Sequence, residues 1–201
     1  MTLSSLAIDW TETNRRRIVL RLKSNARVLM VALAVGLMLA PAAIAQQVTK
    51  ETVPGITNFS KVGTTIACAG ATTPEAIGEV KKLGYAAIVN LRQANEPGAD
   101  IEAATAAAKT AGIKYIHLPL NTAAPDPAVV EGFLKAVTDP ANQPVFVHCA
   151  SANRAAALWM IKRMNVDGWD ADKAGTEAAA LGLTNPALKT FALDYAKAHQ
   201  K

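Results

Sequence analysis

The sequence predicts an α/β fold, a three-layer α/β/α arrangement around a central, mainly parallel sheet of four to five strands. Short apolar runs alternate along the chain with helical segments of about 10–15 residues, an alternation typical of parallel sheets. Glycine and proline mark the ends of several segments. The chain of 201 residues is 51% apolar and 18% charged, which excludes a wholly disordered protein. Helices are therefore expected on both faces of one sheet.

Residues 1–45 predict a secretory signal peptide. Six basic residues precede an apolar run at 28–40, which is followed by Pro41 and the small-residue exit Ala43-Ile44-Ala45. Cleavage is expected before Gln46, giving a periplasmic or secreted protein. The alternative is a single membrane anchor, but the apolar run is short of the roughly 20 residues that a spanning helix needs. A membrane contact is expected only through this leader if it is not cleaved.

The charge of the chain excludes one class of partner. The formal net charge is +5 and the pI about 9.3, a balance that would favour nucleic acid or an anionic membrane. The leader carries six of the 21 basic residues and two of the 16 acidic ones. The remaining 15 basic and 14 acidic residues of 46–201 nearly cancel, so no nucleic-acid partner is expected.

Two cysteines and three scattered histidines predict neither a disulfide scaffold nor a metal site. No metal and no cofactor are therefore expected.

The elements follow in order after the leader. Residues 46–58 are polar and contain a Pro-Gly pair, which predicts a tether ahead of one domain at 59–201. Cap-plus-proline signatures at Thr73-Pro74 and Asp126-Pro127 predict helix starts, and Gly84 and Gly112 predict helix ends. Strands are expected at about 64–68, 86–91, 113–120 and 144–148. Helices are expected at about 74–83, 99–111, 127–137, 171–181 and 186–199, and another follows the last strand and ends at about 164.

The residues that follow the strands are the first candidates for function, because ligands of such sheets bind beyond the carboxyl ends of strands. They include Cys68, Arg92, Asn121 and Cys149. The stretch from Val145 to Arg154 is the most informative of these.

A buried strand there delivers Cys149, and Arg154 follows at a helix start. The small residues between them allow backbone N–H groups to surround an anion, as does the positive end of the helix dipole. Arg154 can hold two oxyanions with its planar fork. Such surroundings favour the thiolate of Cys149, a nucleophile for phosphorus or sulfur.

This stretch resembles the active-site loop of the cysteine-based tyrosine and dual-specificity phosphatase superfamily, and in particular its bacterial β-lactamase-hydrolase-like, phosphatase-like branch. The segments at 66–75, 87–92, 115–120 and Gly168-Trp169 are similar to that branch as well. The resemblance implies a dual-specificity-phosphatase-like fold and an exported phosphatase that acts on a phosphorylated small molecule or protein. It implies that Cys149 is the nucleophile and that phosphate is bound by Ala150, Ser151, Ala152, Asn153 and Arg154.

The chain departs from the superfamily's pattern at three places. Four residues rather than five separate Cys149 from Arg154, and Ala155 replaces the hydroxyl residue that helps the thiolate leave. Ser151 is the candidate substitute for that hydroxyl. Asn121 stands where the pattern has its general-acid aspartate. Asp126 is the nearest acid and the candidate proton donor, although Pro127 after it also indicates a helix cap.

Several alternatives stay open at this point. A cysteine loop of six residues also resembles that of rhodanese-like sulfurtransferases, in which a persulfide would form on Cys149. A binding module that holds an anion without turnover is a third reading. Cys68 is a candidate redox partner that could form a disulfide with Cys149 in an oxidising compartment, or the two thiols stay separate. Arg92 either pairs with Glu96 or lines the pocket, and His148 is expected to order the loop through hydrogen bonds.

Overall fold

The computed structural model describes residues 47–199, so the predicted signal peptide at 1–45 lies outside the described residues. Six strands form one sheet in the order β1-β2-β3-β6-β4-β5. The strands are β1 Val48–Lys50, β2 Ser60–Val62, β3 Ile66–Ala69, β4 Ala87–Asn90, β5 Lys114–His117 and β6 Val145–His148.

The central part of the sheet is parallel, as predicted. Strands β3, β6, β4 and β5 all pair in the parallel sense. Every residue of β3, β4 and β6 is buried, because helices cover both faces of a parallel sheet. The register places Cys68 opposite Val147 and Ala69 opposite His148. The carboxyl ends of these strands therefore meet at one edge of the sheet.

Between residues 47 and 199, six α-helices flank the sheet, and they confirm the predicted α/β/α layers. Side chains of Asp100, Asp126, Asp170 and Asn185 each accept a backbone N–H at a helix start, which satisfies donors that the first turn leaves open. The helices are α1 Ile77–Lys82, α2 Ile101–Ala111, α3 Pro127–Thr138, α4 Asn153–Asn165, α5 Ala171–Leu181 and α6 Pro186–Ala198, and short 3₁₀ turns occupy Pro74–Ala76 and Pro140–Asn142.

Two apolar clusters hold the layers together. The one on the face of α1 and α2 contains stacked and edge-on aromatic pairs among Phe59, Tyr85 and Phe146, with ring centroids 5.8–6.4 Å apart. The larger cluster, on the face of α3 to α6, includes the run Ala155–Ile161 of α4, all of it buried. Helix α4 packs against both α5 and α6, so the helix that follows Cys149 is held on several sides.

The structure differs from the predicted tether at 46–58. Residues 48–50 form β1, which pairs antiparallel with β2, and Val53 and Ile56 are buried. The N–H of Glu51 donates to the carbonyl of Phe59, and Glu51 pairs with Lys61. This segment is part of the fold. Its strand β1, together with β2 just after it, extends the predicted four or five strands to six.

Within residues 47–199 no helix combines the length and apolar character needed to cross a membrane.

Candidate active site

Cys149 lies directly after β6, at the carboxyl edge of the parallel strands, as the sequence predicts. Its side chain is 1% exposed, and its N–H donates to the carbonyl of Ala69 at 3.1 Å. That bond continues the β3–β6 ladder one residue beyond the strand and fixes the direction in which the chain leaves the sheet. The thiol of Cys149 therefore sits at a rigid strand end rather than on a mobile loop.

The residues from Cys149 to Arg154, here called the anion loop, turn sharply into α4. Ala152 has a φ of +72°, a left-handed conformation that costs a non-glycine residue about 1 kcal/mol. Two other segments of the protein hold the loop by hydrogen bonds. The N–H of Ala71 donates to the carbonyl of Ala150, and the side-chain amide of Asn58 donates to the carbonyl of Ser151. The start of α4 at Asn153 adds first-turn N–H groups, which favour an anion.

Asn153 ties the anion loop to the α5–α6 connection. Its Oδ1 accepts the backbone N–H groups of Thr184 at 2.7 Å and Asn185 at 2.8 Å. Its Nδ2 donates to the Ser151 hydroxyl at 3.2 Å. One amide side chain therefore fixes both the loop and the connection that borders it.

Gly182 of that connection tests how tightly the anion loop is packed. Its φ is +113°, and a Cβ at this position would lie 3.2 Å from the Cβ of Ala152. We expect Gly182→Ala to lower the free energy of unfolding by about 2 kcal/mol, through backbone strain and crowding, and to weaken phosphate binding several-fold. Denaturant unfolding and calorimetric titration with phosphate measure the two effects.

Gly112→Ala is the matched control, because Gly112 also has a positive φ, +64°, but its missing Cβ would meet nothing within 4 Å. It should cost about 1 kcal/mol of stability and leave phosphate binding unchanged. Equal loss of binding in both variants would contradict the tight packing of Gly182 against the loop.

Arg154 is buried and bonded along one edge of its guanidinium. Nη1 donates to the carbonyls of Leu91 at 2.9 Å and Leu120 at 3.2 Å, which lie just beyond β4 and β5. Nη1 and Nη2 also donate to the two carboxylate oxygens of Glu96, at 2.5 and 2.7 Å. These bonds leave the Nε side of the fork for another oxyanion.

Glu96 is a site residue that sequence reasoning considered only as a partner of Arg92. It pairs with Arg92 as well as with Arg154. Partial burial opposes its ionisation, but hydrogen bonds from Arg154, the Gln93 N–H and Arg92 lower the pKa of Glu96 to about 2. Glu96 is therefore a carboxylate at neutral pH, and it orients the guanidinium of Arg154.

Arg92 fills a structural position rather than the pocket. Its guanidinium donates to the carbonyls of Pro97 and Gly98 at 2.5 and 2.9 Å and lies 3.4 Å from Glu96. The side chain is 7% exposed. The structure thus confirms the pairing alternative, and Arg92 closes the loop that carries Glu96.

His148 does not order the loop through hydrogen bonds, contrary to expectation. Its Nδ1 is buried and has no hydrogen-bond partner among residues 47–199, and its ring lies 5.8 Å from that of Phe146. Burial, reinforced by the nearby charges of Arg92 and Arg154, lowers the pKa of His148 to about 3. His148 is therefore an uncharged residue at neutral pH, and it packs against Phe146 on the face of the strand opposite to Cys149.

Asp126 is exposed, and it caps α3. Its Oδ1 accepts the N–H of Ala128 at 2.9 Å, which confirms the cap. The loop from 121 to 126 that carries Asp126 begins at the site, because the carbonyl of Leu120, just before this loop, accepts a hydrogen bond from Arg154. The proton-donor role of Asp126 stays a prediction.

Cys68 is a buried free thiol on the same face of the sheet as Cys149. Burial, followed by the charge of Cys149, raises the pKa of the Cys68 thiol. The register places the two cysteines diagonally across β3 and β6, about 8 Å apart from standard strand spacing and rise. A disulfide needs Cα atoms within roughly 7 Å, so this geometry does not support the redox pairing without backbone movement.

A cavity of about 570 Å³ lies at the opposite edge of the sheet, between the β2–β3 turn and the ends of α3 and α4. Its cations already have partners, because Lys162 pairs with Asp167 and Arg163 pairs with Glu177. In the described part of the chain no cluster of histidine, cysteine and acidic side chains is arranged to hold a metal.

The arrangement at the carboxyl edge is suited to one kind of chemistry. The side chain of Cys149 forms a hydrogen bond with Arg154, and the first turn of α4 begins between them in the chain, at Asn153. Burial alone would lower the pKa of Arg154. The hydrogen bond to Glu96 and the charge of Cys149 outweigh it, so the pKa of Arg154 is raised. The site therefore offers a permanent positive charge beside a thiol, which suits a tetrahedral oxyanion.

Comparisons with known proteins bear on the family and the fold of this chain. The sequence model of the family described as "Beta-lactamase hydrolase-like protein, phosphatase-like domain" matches residues 58–166. No match was found among the curated proteins. Solved structures share the fold, among them TpbA of P. aeruginosa, which is 20% identical with a TM-score of 0.57 over 78% of this chain and 91% of that one.

Two other solved structures are similar to a comparable degree. The core catalytic domain of the PP-IP phosphatase SIW14 from S. cerevisiae is 21% identical, with a TM-score of 0.60 over 72% of this chain and 88% of that one. Tk-PTP in its active form is 16% identical, with a TM-score of 0.59 over 73% and 99% of the two chains. These TM-scores show that the chain shares a fold with the three proteins.

Proposed function

The chain belongs to the phosphatase-like domain family of β-lactamase-hydrolase-like proteins, and from this premise we propose that it is a cysteine-dependent phosphatase. In this proposal it hydrolyses a phosphate ester through the Cys149 thiolate, with Arg154 and the N–H groups of the anion loop binding the phosphoryl group. One observation carries the proposal. Glu96 and two strand-end carbonyls orient the guanidinium of Arg154, which also forms a hydrogen bond with the side chain of Cys149.

The reaction proceeds in two displacements. The Sγ of Cys149 attacks phosphorus, the P–S bond forms, and the ester P–O bond breaks as the alcohol leaves with a proton. Water then attacks phosphorus, the P–S bond breaks, and inorganic phosphate and the thiolate are released. Through both steps the donors of Arg154 and of the α4 start stabilise the charge that develops on the equatorial oxygens.

Asp126 is the proposed proton donor for the leaving alcohol. Its Oδ1 is held by the Ala128 N–H, which leaves the second carboxyl oxygen for proton transfer. Proton donation by a general acid typically raises the rate of such a reaction by about 10²–10⁴-fold. Ser151 is the proposed aid to the second displacement, because its hydroxyl lies in the anion loop and Ala155 supplies none.

Export to the periplasm or outside the cell is part of the proposal. It rests on the signal-peptide pattern of residues 1–45, and the two cysteines, which are free thiols in the structure, are the groups that an oxidising compartment would affect.

The function class is tested by giving the purified protein two substrate systems, an aryl phosphate and thiosulfate with cyanide. We expect release of inorganic phosphate from the first and no thiocyanate from the second. Thiocyanate without phosphate would replace the proposal with a sulfurtransferase. Neither product, together with measurable phosphate binding by calorimetry, would replace it with a non-catalytic anion-binding module.

A further inference from the structure

The segments that border the anion loop, here called the rim, can be defined by their hydrogen bonds. Asn58 and Ala71 bond the loop from one side, and the α5–α6 connection bonds Asn153 from the other. Arg154 bonds the two segments that follow β4 and β5. The rim comprises residues 57–58, 70–75, 91–100, 118–126 and 182–185.

The charge exposed on this rim is negative. Its cation Arg92 is buried and bonded to Glu96 and to the carbonyls of its own loop. The rim contains no lysine. Its exposed charged side chains are three carboxylates, those of Glu75, Asp100 and Asp126.

The remaining exposed polar groups of the rim are neutral hydroxyls and amides. They are Thr57, Asn58, Thr73, Asn95, Asn121, Thr122, Thr184 and Asn185. The starts of α2 and α3 contribute positive dipole ends, but Asp100 and Asp126 already cap them. The positive potential is thus confined to the anion loop, with a neutral to negative border around it.

From this charge distribution we infer that the site takes a phosphate monoester whose remaining groups are uncharged or cationic, and that it discriminates against polyphosphorylated and acidic substrates. This rests on the proposed phosphatase function and names its substrate class. One phosphate is satisfied by Arg154 and the loop. A second anionic group would extend over the rim, where carboxylates repel it and no exposed lysine or arginine of the rim is in place to bind it.

The test uses three peptides as probes, each with a single phosphotyrosine in an otherwise identical scaffold with neutral, acidic or basic flanking residues. Their Kd values for Cys149→Ser, which cannot turn them over, are measured by fluorescence anisotropy at low ionic strength. We expect the acidic peptide to bind at least about 10-fold more weakly than the neutral one, and the basic peptide at least as tightly. The ratio of the Kd values of the acidic and neutral peptides, here called the gap, should shrink in 0.5 M salt because exposed charges are then screened.

A double variant shows whether the rim causes the gap. Asp100→Asn with Asp126→Asn keeps a capping oxygen on each helix and removes both charges. The double variant should therefore reduce the gap between the Kd values of the acidic and neutral peptides several-fold. Asp139→Asn with Asp170→Asn is the matched control. These residues cap the 140–142 turn and α5 with the same kind of bond, at the opposite edge of the sheet, and should leave the gap unchanged.

The outcomes separate this inference from the proposed function. Absence of aryl phosphate hydrolysis by the wild-type protein contradicts the phosphatase proposal, whatever the peptides do. Equal affinities for the three peptides, tighter binding of the acidic one, or no binding of any of them contradicts the inferred substrate class. So does an equal change of the gap in both double variants, because the rim would then not be its source.

Discussion

Replacing Cys149 by serine is expected to reduce phosphate release from an aryl phosphate by at least about 10³-fold while phosphate binding stays within about threefold of wild type. Serine has nearly the same size, but at neutral pH its hydroxyl is not ionised. The neighbouring His148 does not act on it, because successive side chains of a strand point to opposite faces and the His148 ring packs against Phe146. The donors of Arg154 and of the loop are unchanged by the substitution, so binding should persist.

Cys68→Ala is the matched control for this experiment. Cys68 is also a buried thiol on the same sheet face, but it lies before the end of β3, outside the anion loop. Its loss should cost stability through a small cavity and leave the rate of phosphate release unchanged. Hydrolysis retained by Cys149→Ser, or abolished equally by Cys68→Ala, would remove Cys149 from its role as nucleophile.

The parts of the fold that could be predicted are those whose residues are buried on both sides. The runs around Val89 and Val147 are continuous and apolar, as strands in the middle of a parallel sheet must be. Helix ends can be predicted from Asp126-Pro127 and from Gly112, because capping depends on the backbone conformation of a few adjacent residues. Fold class and the position of Cys149 at a strand end follow from these signals.

Strands β1 and β2 lacked such a signal. Each has three residues, and both carry polar side chains, among them Thr49, Lys50 and Lys61. Runs of that length do not show a period of two. β1 becomes a strand by pairing with β2, and β2 by pairing with β1 and β3, rather than through local preference. For this reason the polar segment 46–58, with its Pro-Gly pair, predicts a tether when only the sequence is considered.

The role of Glu96 also lay beyond sequence reasoning, for a topological reason. Its spacing of four from Arg92 was visible, but its partner Arg154 is 58 residues away. The pair forms because β4 and β6 are neighbours in the sheet, which brings the residues after them together. Asn153 and Thr184, 31 residues apart, meet instead because α4 packs against α5 and α6. Loop residues that complete a site across a parallel sheet are found from strand order rather than from spacing.

Arg154→Lys is expected to lower kcat/KM for an aryl phosphate by about 10²–10³-fold, the usual loss when a preorganised oxyanion donor is removed. Lysine keeps the positive charge, but its single ammonium cannot bond Glu96 and two strand-end carbonyls along one edge while presenting a second edge to phosphate. The free energy of unfolding should fall by about 1–3 kcal/mol, because the carbonyls of Leu91 and Leu120 lose a buried donor. Steady-state kinetics and denaturant unfolding measure the two effects.

Arg163→Lys separates the catalytic loss from the structural one, because Arg163 lies on the same helix and is buried to a similar extent. It bonds Glu177 and Asp167 and stacks on Trp169, at the end of α4 remote from Cys149. Its replacement should destabilise the protein by a similar amount and leave kcat/KM within about twofold. If both lysine variants lost activity in proportion to stability, Arg154 would be a structural residue. A loss of kcat/KM confined to Arg154→Lys assigns its guanidinium to the phosphoryl group, because stability is then matched and only the donor geometry beside Cys149 differs.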